Sequence, residues 1–248
     1  MTDETKCIGC GKCIPYCPVQ ARGYGRAANG GRTFIVIDKD KCIECGVCER
    51  ADVCPVDALH MEELPWPRMV RGILSNPLLE FKATGVPGRG TEEIKTNEIT
   101  NRVKYGRIGV GIELGRPGIS AKWSDVEKVC MAVSQLGIEF CEGNPITHFM
   151  ADKQAGKLDP DVVNEASLSA IVEFEMAEDQ MPELFRILRE EVNDQIDTVY
   201  TFEIAARLQP DGSTTVYQKI LDAGYQPLPV SKNNLGFGRV TREREAVQ

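Results

Sequence analysis

Histidine is scarce in this 248-residue chain: His60 and His148 are the only two. Imidazole-based catalysis has little to draw on, and both residues are read as structural. Long apolar runs are also missing. No stretch of about eighteen apolar residues occurs, so no membrane span is expected. Basic residues are outnumbered, 29 Lys and Arg against 37 Asp and Glu, for a net charge of −8. An acidic balance of this kind carries no nucleic-acid footprint. No Walker sequence, nucleophile elbow or metalloprotease motif is present. Gly109-Val-Gly111 falls inside a predicted strand and so is not a dinucleotide fingerprint.

Cysteine, in contrast, is concentrated. Eight of the ten cysteines lie in two short runs. The first is Cys7-x2-Cys10-x2-Cys13-x3-Cys17-Pro18, and the second is Cys42-x2-Cys45-x2-Cys48-x5-Cys54-Pro55. Three cysteines at two-residue intervals can wrap a tight loop around three corners of a cubane iron–sulfur cluster. Each iron corner takes one soft thiolate, and the fourth must come from farther away. Zinc ribbons bring paired cysteines from two separated knuckles, which fits triple runs poorly. Disulfides belong to oxidising compartments, yet Met1-Thr-Asp-Glu-Thr-Lys6 leads straight into Cys7 with no secretory signal. Thiolate ligands point to a reducing, cytoplasmic location.

The runs form an internal repeat. Cys-Ile-Gly-Cys-Gly-Lys-Cys…Cys-Pro-Val-Gln-Ala over 7–21 recurs as Cys-Ile-Glu-Cys-Gly-Val-Cys…Cys-Pro-Val-Asp-Ala over 42–58. Thr33-Phe-Ile-Val-Ile-Asp38 between them reads as a strand. This part, roughly 1–64, resembles the bacterial dicluster ferredoxin domain. The resemblance implies two 4Fe-4S clusters with crossed ligands. Cys7, Cys10, Cys13 and Cys54 would hold the first, and Cys42, Cys45, Cys48 and Cys17 the second. Gly9, Gly11 and Gly46 would let the backbone approach the sulfurs. Ile8, Ile14, Val19, Ile43, Val47 and Val56 would exclude water. One departure stands out: Glu49-Arg-Ala-Asp-Val53 puts five residues where three are usual.

Charge is uneven along the chain. Residues 1–64 carry 8 basic and 10 acidic side chains, residues 65–107 carry 8 and 4, and residues 108–248 carry 13 and 23. The basic middle stretch is either a docking surface for an acidic partner or a solvated linker. Leu64-Pro65-Trp66-Pro67 ends the repeat, and 65–106 reads as an irregular connecting segment. Trp66 and Phe81 are expected to pack where a partner or second domain presses on the first. Gly85-Val-Pro-Gly-Arg-Gly90 is a loop whose Arg89 is a candidate anion contact.

From residue 107 the pattern is regular. A strand over Arg107–Leu114 is followed by a Ser124-x2-Glu127 capping box, then by an apolar helical stripe ending at Gly137. A strand follows from Ile138, running on toward Thr147-His-Phe-Met150. Leu168–Met176 is a strand, Asp179 opens a helix with Met181, Leu184, Phe185, Leu188 and Val192 inward, and Thr198–Leu208 is a strand. This order predicts an α+β chain in which a βαββαβ ferredoxin-like α/β sandwich, with a C-terminal extension, fills 107–248. A small helix is expected near Val216–Ala223, then an irregular tail over 233–238. Cys130 reads as a core thiol, and Cys130 and Cys141 do not make a further cluster. Such folds license no function by themselves, and no catalytic residue is assigned.

Glu93-Ile-Lys-Thr-Asn97, Glu113-Leu-Gly-Arg-Pro-Gly118 and the tail resemble the iron–sulfur part of 6-hydroxynicotinate reductase-type proteins. That resemblance implies low-potential reduction of an electron-poor ring, with flavin. FMN or FAD has no supporting motif in this chain. The leading expectation is an electron relay: the electron-transfer subunit of an oxidoreductase complex rather than a complete enzyme. Its partner would be a catalytic oxidoreductase subunit or a soluble redox carrier. The C-terminal domain would dock that partner or form a homo-oligomer. The rivals are a reductase binding flavin or substrate near Arg89 or Arg116, and a redox-responsive regulator.

Overall fold

The computed structural model describes residues 1–26, 31–87, 97, 101–115 and 118–227. The N-terminal part is built twice from one plan. A 3-10 turn at Ile14–Tyr16 precedes strand β1 (Arg22–Arg26), which pairs antiparallel with β2 (Thr33–Ile37). Helix α1 (Val47–Arg50) takes the place of the 3-10 turn in the second copy and runs into the five-residue stretch Glu49–Val53. Arg22 pairs with Ile37 in the ribbon, and Leu59 bridges to Thr2. Each pairing joins the residue five after one run's last cysteine to the residue five before the other run's first cysteine. The backbone repeats as well: Asp38 N donates to Ala21 O at 2.8 Å and Asp3 N to Ala58 O at 2.8 Å.

The connecting stretch is more ordered than its sequence suggests. It holds helix α2 (Met69–Ser75) and a ribbon of β3 (Glu80–Phe81) with β4 (Val86–Pro87). Val70 through Ser75 are all buried. A helix buried all round shows no amphipathic period, which is why the sequence reads as irregular there. Val70, Ile73 and Leu74 join the main core, and full burial of such side chains stabilises by about 1.5–3 kcal/mol each. The Gly85–Gly90 loop from residue 88 on, including Arg89, lies outside the described residues, as do Arg116 and the 233–238 tail.

Strand β5 (Arg107–Leu114) alternates Ile108, Val110, Ile112 and Leu114, all fully buried. After β6 (Ala121–Lys122) comes α3 (Trp123–Ser134), then β7 (Glu139–Phe140) and α4 (Pro145–His148). A small ribbon of β8 (Met150–Asp152) and β9 (Lys157–Leu158) leads to β10 (Ala166–Ser167), which pairs with β6. Next come β11 (Ala170–Ala177), α5 (Met181–Ile187), β12 (Tyr200–Ala206) and α6 (Val216–Asp222). The main sheet is fully antiparallel in the order β12-β5-β11-β7. Val110 is flanked by Phe174 and Ile204, and Phe174 by Phe140. Helices α3 and α5 touch each other and share one core with the sheet.

Local readings needed correction in this part. The expected capping box does not form: α3 starts at Trp123, its N-cap is Lys122, and no side chain caps it. The acidic residues of that turn reach outward instead. Asp125 Oδ2 accepts from Thr198 N at 3.0 Å and Thr198 Oγ1 at 2.7 Å, and Glu127 Oε1 accepts from Leu158 N at 3.1 Å. Residue 148 is helical rather than extended, because Asn144 caps Ile146 N at 2.8 Å and Pro145 starts a turn. His148 Nε2 meets Glu142 O, and its ring sits edge-on to Phe81.

An aromatic group ties the parts together. Phe149 stacks on Phe81 at 5.0 Å, meets Trp123 edge-on at 5.4 Å and touches Trp66 at 6.2 Å. Trp66 Nε1 donates to Asp161 Oδ2 at 2.9 Å. Trp66 and Phe81 therefore pack against residues of the second half, as their composition suggested. Cys130 is fully buried, and burial pushes its thiol up. Cys141 is buried and accepts from Arg102.

Candidate metal centre

The cysteine loops begin identically. Cys7 N donates to Asp3 O and Cys42 N to Asp38 O, both at 2.9 Å. Each aspartate also accepts through Oδ1 from the two N–H groups ahead of its cysteine: Thr5 and Lys6, Asp40 and Lys41. The repeat thus reaches back to Asp3 and Asp38. That extension was readable as Asp-x2-Lys-Cys-Ile at both sites. Positive φ recurs in step at Gly9 and Glu44, Gly11 and Gly46, and Gln20 and Asp57. A Cβ on Gly9 would fall 2.6 Å from Thr33 O, so glycine is required there; the equivalent Glu44 bears a left-handed backbone (φ 54°) with a side chain.

Chain crossing brings the sulfurs together. The strand leaving Cys17 pairs with the strand entering the second run, and the bridge at Leu59 returns Cys54 to the first. One concave space of about 300 Å³, mouth included, is lined by Cys7, Cys10, Cys13 and Cys54, with Ile35, Val56 and Leu59 among its walls. Another of about 490 Å³ is lined by Cys17, Cys42, Cys45 and Cys48, with Val19 and Ile43. Backbone N–H groups point at the sulfurs: Ala21 N to Cys17 Sγ at 3.1 Å, Ala58 N to Cys54 Sγ at 3.2 Å, and Ile35 N to Cys7 Sγ at 3.4 Å. Such donors stabilise negative charge on a ligating sulfur. Four soft donors around each space, with N–H groups aimed at them, fit iron–sulfur clusters.

Burial pushes the Cys42 thiol up to about 11, and it raises Cys13 and Cys45 too. These thiols hold their protons in the absence of metal, so metal binding must displace them.

The two sites differ in cover. Ile43, Glu44, Cys45 and Gly46 are all buried. Three arginines bind the carbonyls of that loop. Arg71 donates to Asp40 O at 2.7 Å and Cys42 O at 3.0 Å while pairing with Glu165. Arg68 donates to Lys39 O at 2.9 Å and pairs with the buried Glu44. Arg50 donates to Cys45 O and Asn76 Oδ1, both at 2.8 Å. Sequence reading missed this clamp, because nothing local ties arginines 68 and 71 to residues 39–45. At the first site Cys10 is exposed and Ile8 is 56% exposed. Ile8 therefore does not seal its site as expected, whereas Ile43 seals the other.

Residues 6–58 match the 4Fe-4S dicluster domain, and this segment of the chain is such a domain. Relatives each match between a fifth and a quarter of this chain. Ferredoxin-1 of Caulobacter vibrioides is 42% identical over 55 residues, 21% of this chain and 42% of that protein. The PorD component of pyruvate synthase from Methanothermobacter marburgensis, itself a subunit, is 38% identical over 60 residues, 24% of this chain and 60% of that one. An iron-sulfur subunit of the CoB–CoM heterodisulfide reductase from Methanocaldococcus jannaschii is 33% identical over 75 residues, 25% of this chain. The chain spans only 11% of the length of that reductase component. No solved structure matches. Among the described residues no helix is long and apolar enough to cross a membrane.

Proposed function

We propose that this chain is an electron-transfer protein or subunit that relays low-potential electrons through two 4Fe-4S clusters, to or from a catalytic oxidoreductase partner. The observation that carries the reading is the pair of concave spaces, each lined by three cysteines of one run and the last cysteine of the other. Cys7, Cys10, Cys13 and Cys54 would hold one cluster, and Cys17, Cys42, Cys45 and Cys48 the other. When bound, such clusters supply reversible one-electron storage. The chain's own contribution is to orient the thiolates, donate N–H groups to sulfur and restrict water. Two of the relatives named above are subunits by name, which supports a partner that carries the chemistry.

Residues 1–64 are read as the ferredoxin domain, 65–106 as the connection and 107–248 as a ferredoxin-like α/β sandwich with an extension. The element order β5-α3-β7-β11-α5-β12 and the lateral order β12-β5-β11-β7 support the sandwich. Its role would be docking. The test is anaerobic purification followed by iron and sulfide analysis. About eight of each per chain are expected, since two cubanes need that many. Stoichiometric zinc, or metal-free protein after cluster reconstitution, would overturn the reading.

A further inference from the structure

Arg22 is buried on β1, with 7% of its surface exposed. Its Nη1 donates to Cys13 Sγ at 3.7 Å and to Thr2 Oγ1 at 3.1 Å. The same residue lines the second concave space together with Cys48. Cys13 lines the first space and Cys48 the second. One buried cation therefore donates to a sulfur of the first set and borders the space that the second set lines.

The internal repeat isolates what is special about this residue. Arg22 lies five residues after Cys17, and the equivalent position after Cys54 is Leu59. The two hold matching places in the backbone, Arg22 opposite Ile37 and Leu59 opposite Thr2. Leu59 supplies apolar wall to the first space and no charge. The backbone is symmetric and the charge is not. Burying a guanidinium is costly unless anionic groups face it. Its hydrogen-bond partners here are the Cys13 sulfur and a hydroxyl, and Cys48 lines the adjoining space. Neutral thiols are weak compensation, whereas thiolates that ligate iron carry the negative charge the site requires.

We infer that Arg22 is a shared positioning residue, which acts through Cys13 and Cys48 to favour the reduced state of both iron–sulfur centres. A fixed positive charge stabilises whichever redox state is more negative, and donation to a ligating sulfur works in the same direction. This inference rests on the reading of two clusters given above.

The experiment is an anaerobic redox titration of the full chain, followed by electron paramagnetic resonance, with iron and sulfide measured on each sample. Arg22→Leu, which copies the other half of the repeat, should lower the reduced-to-oxidised ratio of both centres at least tenfold at fixed potential. That is about 59 mV for a one-electron couple. Arg22→Lys should recover part of the shift for both. Should Arg22→Leu fail to load iron, Arg22→Gln removes the charge while keeping a donor, and the same comparison applies. Full loading with both midpoints unchanged would overturn the inference. So would a shift confined to one centre, since the charge would then not be shared. Iron-free wild-type protein would instead overturn the underlying reading before any variant is compared.

Discussion

Ile8 and Ile43 occupy the same place in the two cysteine repeats, yet Ile8 is 56% exposed and Ile43 is 1% exposed. Beside Ile43, Arg68 and the Arg71 of α2 bind the carbonyls of residues 39, 40 and 42. A duplicated local structure thus presents two unlike faces, one open and one closed against the second half of the chain.

This asymmetry predicts unequal reactivity. Small oxidants or chelators should attack the first centre before the second, because Cys10 is exposed and Cys45 is 7% exposed. Stopped-flow bleaching with ferricyanide should resolve two phases, and Ile43→Ser should accelerate the slow one. A single phase of full amplitude would show that the cover does not protect.

Crossed ligation predicts which variants resemble each other. Cys54→Ser should disturb the same spectroscopic component as Cys13→Ser, and Cys17→Ser the same as Cys48→Ser. Each substitution should damage one centre and spare most of the other's iron. If Cys17→Ser instead matched Cys13→Ser, each run would be holding its own cluster.

The clamp on the second loop predicts a stability cost. Arg71 is buried and Glu165 largely so, with side chains 8% and 12% exposed. Arg71→Met would leave Glu165 without its partner and free the carbonyls of Asp40 and Cys42. Loss of about 3–5 kcal/mol is expected for a buried pair broken on one side. Urea denaturation of the cluster-loaded protein measures it. A double variant with Glu165→Gln should regain part of the loss, and a cost under about 1 kcal/mol, typical of an exposed pair, would show that the clamp is superficial.

The start of α3 separates a sequence-based expectation from the observed contact. Ser124→Ala should change stability by under about 0.5 kcal/mol, within the range of substitutions that touch no special feature. Asp125→Ala should cost about 1–3 kcal/mol, because Thr198 N and Oγ1 lose a buried acceptor. Thermal unfolding of the two variants checks the ranking; a larger effect at Ser124 would restore the capping box.

Legibility followed the range of each interaction. Strand β5 was readable over Arg107–Leu114 because alternation is a local signal, and the α5 stripe from Met181 was readable for the same reason. Helix α2 was not, since a helix buried on all sides has no polar face to mark its period. His148 was misread as extended because Asn144 and Pro145 outweigh the β-propensity of the residues after them. The role of Asp125 was hidden by distance, its partner Thr198 being 73 residues away.

The sequence alone determined the cysteine loops. Their spacing, their glycines and the Asp-x2-Lys lead-in are short-range features that any copy of the segment would carry. Only the tertiary structure decided which loop is sealed, which stays open, and where the charge of Arg22 lies between them. Burial and charge proximity depend on residues far apart in the chain. Two nearly identical repeats therefore acquired different surroundings once α2 packed against one of them.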